Sequence, residues 1–286
     1  MMDRASTQLK GDPAIPSQAA PTPATGRSRA KRTPASLYWT SVASVVGGLL
    51  LWELAGRFIV KKALFLTTPT QIVEATIGLV AANELQRHIA ASGTEFLIGL
   101  VIAIFLGIAI GFAMASNRYA KRALGPWVAA LYATPTIAIS PLIILWAGID
   151  IWSKVIVVVI NAVFPMIINT EAGLRSTDKQ LIEAARCFGC SRWQVFTKVS
   201  LPSAVPFLFA GMKLAIGRAL VAVVVAELFG SRAGLGFLLA QASDAFNMPL
   251  LFVSVVLLAV TGMVLTWLVG AVERWLMPWR YTAEQD

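Results

Sequence analysis

Charge and reactive side chains are both scarce in this sequence. Only 14% of its 286 residues are Asp, Glu, Lys or Arg, histidine occurs once and cysteine twice. So little charge excludes an ordinary soluble domain. With His88 the sole histidine, no Ser/His/Asp set and no convincing metal cluster is evident. A G-x-x-x-x-G-K-[ST] phosphate loop is also missing, which excludes a P-loop nucleotide site in this sequence. Cys187 and Cys190 do form a C-x-x-C pair. Zinc normally takes four ligands, His88 is remote and expected across a membrane, and no thioredoxin-like βαβ pattern surrounds the pair. The two cysteines read as incidental small residues in a reducing location.

Apolar residues are abundant instead, at 57% of the chain. Several windows of about 20 residues are long enough to cross a hydrocarbon core about 30 Å thick. The net charge of +9 comes from 24 basic and 15 acidic residues. Its basic residues fall mostly in loops on one side, a topology signal and not a nucleic-acid footprint.

Residues 1–36 are rich in Pro, Ala, Ser and Thr and end in the basic cluster Arg27, Arg29, Lys31 and Arg32, which predicts a disordered tail. That tail is too long and polar for a signal peptide's n-region, so the first apolar run, 37–60, reads as a retained span. Thr68-Pro69 and spaced apolar residues predict a short amphipathic helix within 61–88. Further spans are expected at about 93–115, 126–147, 152–170, 204–228 and 250–272. The third carries Pro135 and Pro141, which are expected to break its hydrogen-bond ladder. Six spans put both termini on one side, and the excess of Lys and Arg in the loops on that side makes it the cytoplasm. The domain reading is a tail at 1–36, a first span and outer connector at 37–88, a transmembrane core at 89–275 and a tail at 276–286.

Between the fourth and fifth spans lies an ordered polar insert. Glu183, Ala184, Ala185, then Gly189, Val199, Leu201 and Pro202 stand at fixed spacing inside 178–202. Leu181, Ile182, Ala184, Ala185 and Phe188 form one packing side of a short helix, and the alanines permit close approach. Gly189 allows a turn into a second helix, Ser191 is placed to cap it, and Pro202 is expected to end the connector.

This spacing resembles the EAA loop of the inner-membrane permeases of ABC importers, with Val199 where that family usually has Ile. The likeness extends from about residue 70 to 275. TEFLIGL (94–100), LYATPTIAISPLIILWAGI (131–149) and GRALVAVVVAEL (217–228) are most similar to the taurine, alkanesulfonate and nitrate branch. The resemblance implies an all-α type I importer permease fold with six transmembrane helices in the bacterial inner membrane. It implies a homodimer, two ABC ATPase subunits that bind the ATP and Mg, and an extracytoplasmic solute-binding protein. Glu183, Ala184, Ala185, Gly189, Leu201 and Pro202 then couple ATP-driven closure to the pathway. The cargo implied is a small anionic or sulfonate- or nitrate-like solute, and the chain itself is no enzyme.

Charged residues inside spans are costly and need a reason. Arg218, closest to mid-membrane, reads either as lining the path of an anion or as bonded to another helix. Lys213 reads as snorkelling, whereas Glu227, Pro135 and Pro141 join Arg218 as translocation-path candidates. Glu53 and Glu95 read as interfacial. Gly230, Gly234 and Gly236 punctuate a segment, 229–249, expected to hold a short outer helix. An ion-gradient-driven transporter is the rival, but it predicts inverted repeats and midplane carboxylates that are not evident. An intramembrane enzyme would need convergent catalytic groups that are scarce here.

Overall fold

A computed structural model of the chain describes residues 34–59 and 67–277. The tails expected at 1–36 and 276–286 fall almost entirely outside those residues. All regular elements among the described residues are helical. They are α1 (Pro34–Leu54), α2 (Pro69–Ala81), α3 (Glu84–Ser116), α4 (Arg118–Ala133), α5 (Thr136–Ala147) and α6 (Ile151–Arg175). After these come α7 (Lys179–Cys187), α8 (Arg192–Val195), α9 (Leu201–Gly230), α10 (Leu235–Asp244) and α11 (Met248–Leu276). Contacts divide the chain into two compact units, 1–47 and 48–286. Of the first, only the opening residues of α1 are described; the second holds everything that follows.

The centre of the larger unit is the packing of α6 against α3 on one side and α9 on the other. Small residues recur every fourth position on α3, at Gly99, Ala103, Gly107 and Gly111, so they share one face. A Cβ at Gly99 would stand 2.5 Å from Val158 Cγ1, and one at Gly111 would stand 2.7 Å from the Ile167 carbonyl oxygen. The missing side chains are therefore what lets α3 approach the α6 backbone. On α9, Ala215, Ala219, Ala222 and Ala226 are fully buried at helical spacing and present a similarly smooth face. In a lipid solvent, where burying apolar surface gives no net drive, such close backbone packing holds helices together.

A second cluster joins α2, α10 and α11 through Ile72, Leu79, Leu238 and Val253. The amphipathic α2 starts where the sequence indicates. Thr68 accepts from the Gln71 amide at 3.4 Å, Gln71 Oε1 accepts from the Thr68 amide at 3.2 Å, and Pro69 opens the helix. Glu53, expected at an interface, accepts from the Thr70 amide at 3.2 Å and its hydroxyl at 2.9 Å.

Among the described residues, four helical stretches are long and apolar enough to span a membrane: α3, α6, the continuous run Arg192–Gly230, and α11. A fifth is counted if α4 and α5 form one broken span. That count stops short of the expected six; α1, with 21 residues, occupies the place of the first expected span. The third expected span, 126–147, is not one straight helix. α4 starts at Arg118, ahead of the expected span, with Asn117 capping the Tyr119 amide at 2.8 Å. α4 and α5 then meet at 97° across Thr134 and Pro135. Proline drives the preceding residue out of helical geometry, and Thr134 accordingly has ψ of 134°. Pro141 causes no such break and sits within α5.

Candidate functional site

The polar insert folds as a helix–turn–helix. Asp178 caps α7 by accepting from the Gln180 amide at 2.8 Å. At the other end Gly189 takes φ of +78°. Its amide donates to Arg186 O at 2.9 Å, and the Cys190 amide donates to Ala185 O at 3.1 Å. This paired arrangement satisfies the last carbonyls of α7 and needs a left-handed residue at the turn, which glycine adopts without steric cost. Ser191 then caps the next helix, with its hydroxyl 3.3 Å from the Gln194 amide and Gln194 Oε1 2.8 Å from the Ser191 amide.

Pro202 does not end this connector. The helix that begins at Arg192 runs on through a π-helical turn, Phe196–Ser200, into α9. There the Leu201 amide bonds to Phe196 O, five residues back, instead of four. A proline ring clashes with the carbonyl four residues behind it, and the widened turn relieves that clash. The connector is thus rigidly continuous with a long span. Its apolar residues are not consumed inside the chain: Phe188 is 88% exposed, Trp193 70% and Leu181 54%. Glu183 and Ala184 are exposed beside them, whereas Ile182 and Ala185 are half-buried. Exposed aromatic and aliphatic residues of this kind, rimmed by charge, mark a surface built for another protein.

A cleft of about 490 Å³ opens where α4, α5, α6 and α9 meet. Thr134, Pro135, Asn161, Lys213 and Arg218 are among the residues lining it. The Arg218 guanidinium lies over the Tyr132 ring, 4.7 Å from its centroid. Lys213 Nζ donates to Glu273 Oε2 at 2.5 Å, so this lysine pairs with α11. Asn161 accepts from the Thr136 hydroxyl at 2.5 Å and donates to Val157 O at 2.8 Å. Sequence reasoning located Arg218 and Pro135 but not Tyr132 or Asn161. An asparagine in the middle of the apolar α6 was the available signal.

Glu227 and Pro141 do not line this cleft. Glu227 is buried at the far end of α9, where its Oε1 accepts from Ser92 at 2.6 Å and its Oε2 from the Gly236 amide at 2.6 Å. Glu95, read as interfacial, is buried, with Oε1 3.3 Å from Lys154 Nζ, an ion pair joining α3 to α6. Cys187 and Cys190 are free thiols, and no group of three His, Cys, Asp or Glu gathers among the described residues.

Residues 99–278 match the family described as the binding-protein-dependent transport system inner membrane component. The chain belongs to that family. It is an ABC-importer permease subunit, a multi-pass protein of the inner membrane that works with a separate ATPase and a binding protein and is not itself an enzyme. A curated relative, the putative aliphatic sulfonates transport permease protein SsuC of Bacillus subtilis, is 34% identical over 82% of this permease and 86% of its own length. The formylaminopyrimidine transport permease protein ThiX of Halalkalibacterium halodurans is 33% identical over 81% of this permease and 92% of its own length. The taurine transport system permease protein TauC of Escherichia coli is 28% identical over 84% and 89%. Among solved structures, the MetNI methionine ABC transporter aligns with a TM-score of 0.58 at 19% identity, covering 66% of the permease and 94% of that chain. This likeness confirms the importer-permease fold.

Proposed function

We propose that this permease carries a small anionic solute, sulfonate- or nitrate-like, past Arg218. The observation that carries the reading is the cleft itself: a guanidinium held over Tyr132, in a chamber formed by a broken helix pair and two core helices. Arg218 is exposed to this cleft, and cations within membrane-spanning helices are costly and mark anion paths or counter-ions. The relatives named above include transporters described for sulfonates and taurine and one for a formylaminopyrimidine. A positively charged cleft favours the first group. Pro135 shapes the chamber by ending α4.

The working unit in this reading is a homodimer bearing two ATPase subunits, with both termini cytoplasmic and the ATP and Mg held entirely by the partner. The connector from Asp178 to Pro202 docks on that ATPase through its exposed apolar side, with Glu183, Ala184, Ala185 and Gly189 at the contact. Force applied there enters α9 without a hinge, because α8, the π-helical turn and α9 form one continuous helix. The deciding experiment is copurification of the ATPase and the binding protein with the permease, followed by a thermal-shift screen of that binding protein. Stabilisation by sulfonates or small oxyanions is expected. Stabilisation by uncharged solutes alone would refute the cargo, and failure to recover an ATPase would refute the coupling.

A further inference from the structure

The connector does not close tightly on the core. A cleft of about 310 Å³, the size of a small-ligand site, lies between α3, α6, α8, the π-helical turn and the start of α9. Ile108 and Phe112 of α3, Trp193 of α8, Phe196 of the turn and Leu208 of α9 are among the residues lining it. Thr170 of α6 also borders it, but the hydroxyl is buried and has no partner among the described residues. The wall therefore offers water no hydrogen bond, and an ordered water needs several polar partners. The guest that suits this cleft is apolar.

Position decides which apolar guest. Phe112 lies near the end of the spanning helix α3, and Leu208 lies near the start of α9. The continuous run Arg192–Gly230 has 39 residues, roughly 60 Å of helix against a hydrocarbon core of about 30 Å. Arg192, Gln194, Thr197, Lys198 and Ser200 crowd its start, so that end projects and the cleft lies at the hydrocarbon edge. Arg192 precedes Trp193, and Lys198 follows Phe196 by two residues. Both cations are exposed and enter no ion pair among the described residues. Glu171, next to Thr170, is already shared by Lys121 and Arg175. An apolar cleft beside unpaired cations, at this depth, matches a phospholipid with an anionic head.

We propose that the cleft holds one acyl chain of an anionic phospholipid of the cytoplasmic leaflet, with its phosphate met by Lys198 and Arg192. The choice of leaflet rests on the cytoplasmic placing of the connector proposed above; the chain site itself does not. Phe196 meets the Phe112 ring edge-on with centroids 5.2 Å apart, and Trp193 leans on Phe196 at 5.7 Å. An acyl chain lying against these rings extends the aromatic contact into a packed joint between connector and core. Bound lipid thereby stiffens the connector where it enters α9.

The test uses the full transporter, permease with ATPase, in phosphatidylcholine vesicles containing phosphatidylglycerol with a photoreactive diazirine in one acyl chain. Peptide mass spectrometry after illumination should find label concentrated around Phe112 and between Trp193 and Leu208, well above the exposed face of α11. Unlabelled phosphatidylglycerol should compete the label away, and added phosphatidylcholine should not. Ile108→Trp and Leu208→Trp fill the cleft from different helices, and each should lose the label while still copurifying with the ATPase. Lys198→Gln combined with Arg192→Gln should keep the label but lose the preference for phosphatidylglycerol. ATP-coupled uptake should fall in vesicles of phosphatidylcholine alone, and the two tryptophan variants should lose that lipid dependence. Labelling no stronger in the cleft than on α11, or unchanged in both tryptophan variants, overturns the site. Equal competition by phosphatidylcholine overturns the anionic head, and equal labelling by a diazirine fatty acid overturns a phospholipid as the occupant. Lipid dependence retained in both tryptophan variants overturns the stiffening. The labelling is read without solute or nucleotide, so it stands or falls separately from the proposed cargo and coupling.

Discussion

Arg218 and Tyr132 face one another across the central cleft, with the guanidinium 4.7 Å from the ring centroid. The arrangement holds a cation in place without neutralising it, since the ring contributes only its quadrupole. A contact of this kind is worth about 0.5–2 kcal/mol. Arg218→Leu should therefore abolish uptake while copurification with the ATPase is unchanged. Tyr132→Phe keeps the ring face and should behave like the parent, whereas Tyr132→Leu should lower uptake by up to about tenfold. Normal uptake by Arg218→Leu would remove Arg218 from the path.

At the turn of the connector, Gly189 at φ +78° has open space around it, so its role is conformational and not one of packing. A β-branched residue there costs about 1–2 kcal/mol in the left-handed region. Gly189→Val should leave solute capture intact but release ATP hydrolysis from uptake, and Glu183→Lys should do the same by reversing an exposed charge. Gly189→Asn, which tolerates that region, should retain coupling. The measurement is ATPase rate against uptake in the same vesicles. Coupled transport in both Gly189→Val and Glu183→Lys would show that the connector does not transmit force.

Much of this was legible in the residues themselves. The Thr68-Pro69 start, the Gly189 turn and the Ser191 cap are local devices, and local hydrogen bonding decides them wherever they occur. The hydrophobic runs of α3, α6, α9 and α11 were equally plain, because length and apolarity suffice to mark a span. What sequence could not supply was long-range. Glu95 and Lys154 are far apart in the chain, and only the packing of α3 on α6 brings them together; read singly, each was a charge near a span end. Glu227 looked like a path residue because nothing local shows that Ser92 and the Gly236 amide would enclose it. Pro202 looked like a helix end because propensity ignores the π-helical turn that accommodates it. Proline likewise marks a potential break without saying which prolines break: Pro135 does and Pro141 does not.

Two glycines on one helix separate packing from propensity. A Cβ at Gly93 would meet nothing within 4 Å, whereas one at Gly107 would run into Met166 and stand 3.1 Å from Val163 O. Gly93→Ala should then be neutral or raise thermal stability by up to about 1 kcal/mol through helix propensity. Gly107→Ala should lower it by about 1–3 kcal/mol, as overpacking does. Equal melting temperatures for the two variants in detergent would refute close α3–α6 packing.

The Glu95–Lys154 pair calls for a double-mutant cycle, because removing one partner and removing both have different physical consequences. The two side chains are only 5% and 7% exposed, so each charge loses most of its compensation once its partner is gone. Lys154→Met leaves Glu95 without its cation and should cost about 3–5 kcal/mol, read as a fall in assembly with the ATPase and in melting temperature. Glu95→Gln keeps an amide oxygen beside the ammonium, which also reaches the Ile149 carbonyl at 3.5 Å, but removes its counter-charge, and should cost about as much. The double variant removes both charges together. It should recover most of the loss, giving a coupling energy of about 2 kcal/mol or more. Additive losses would mean that the two groups act independently and that α3 and α6 are held by their small residues alone.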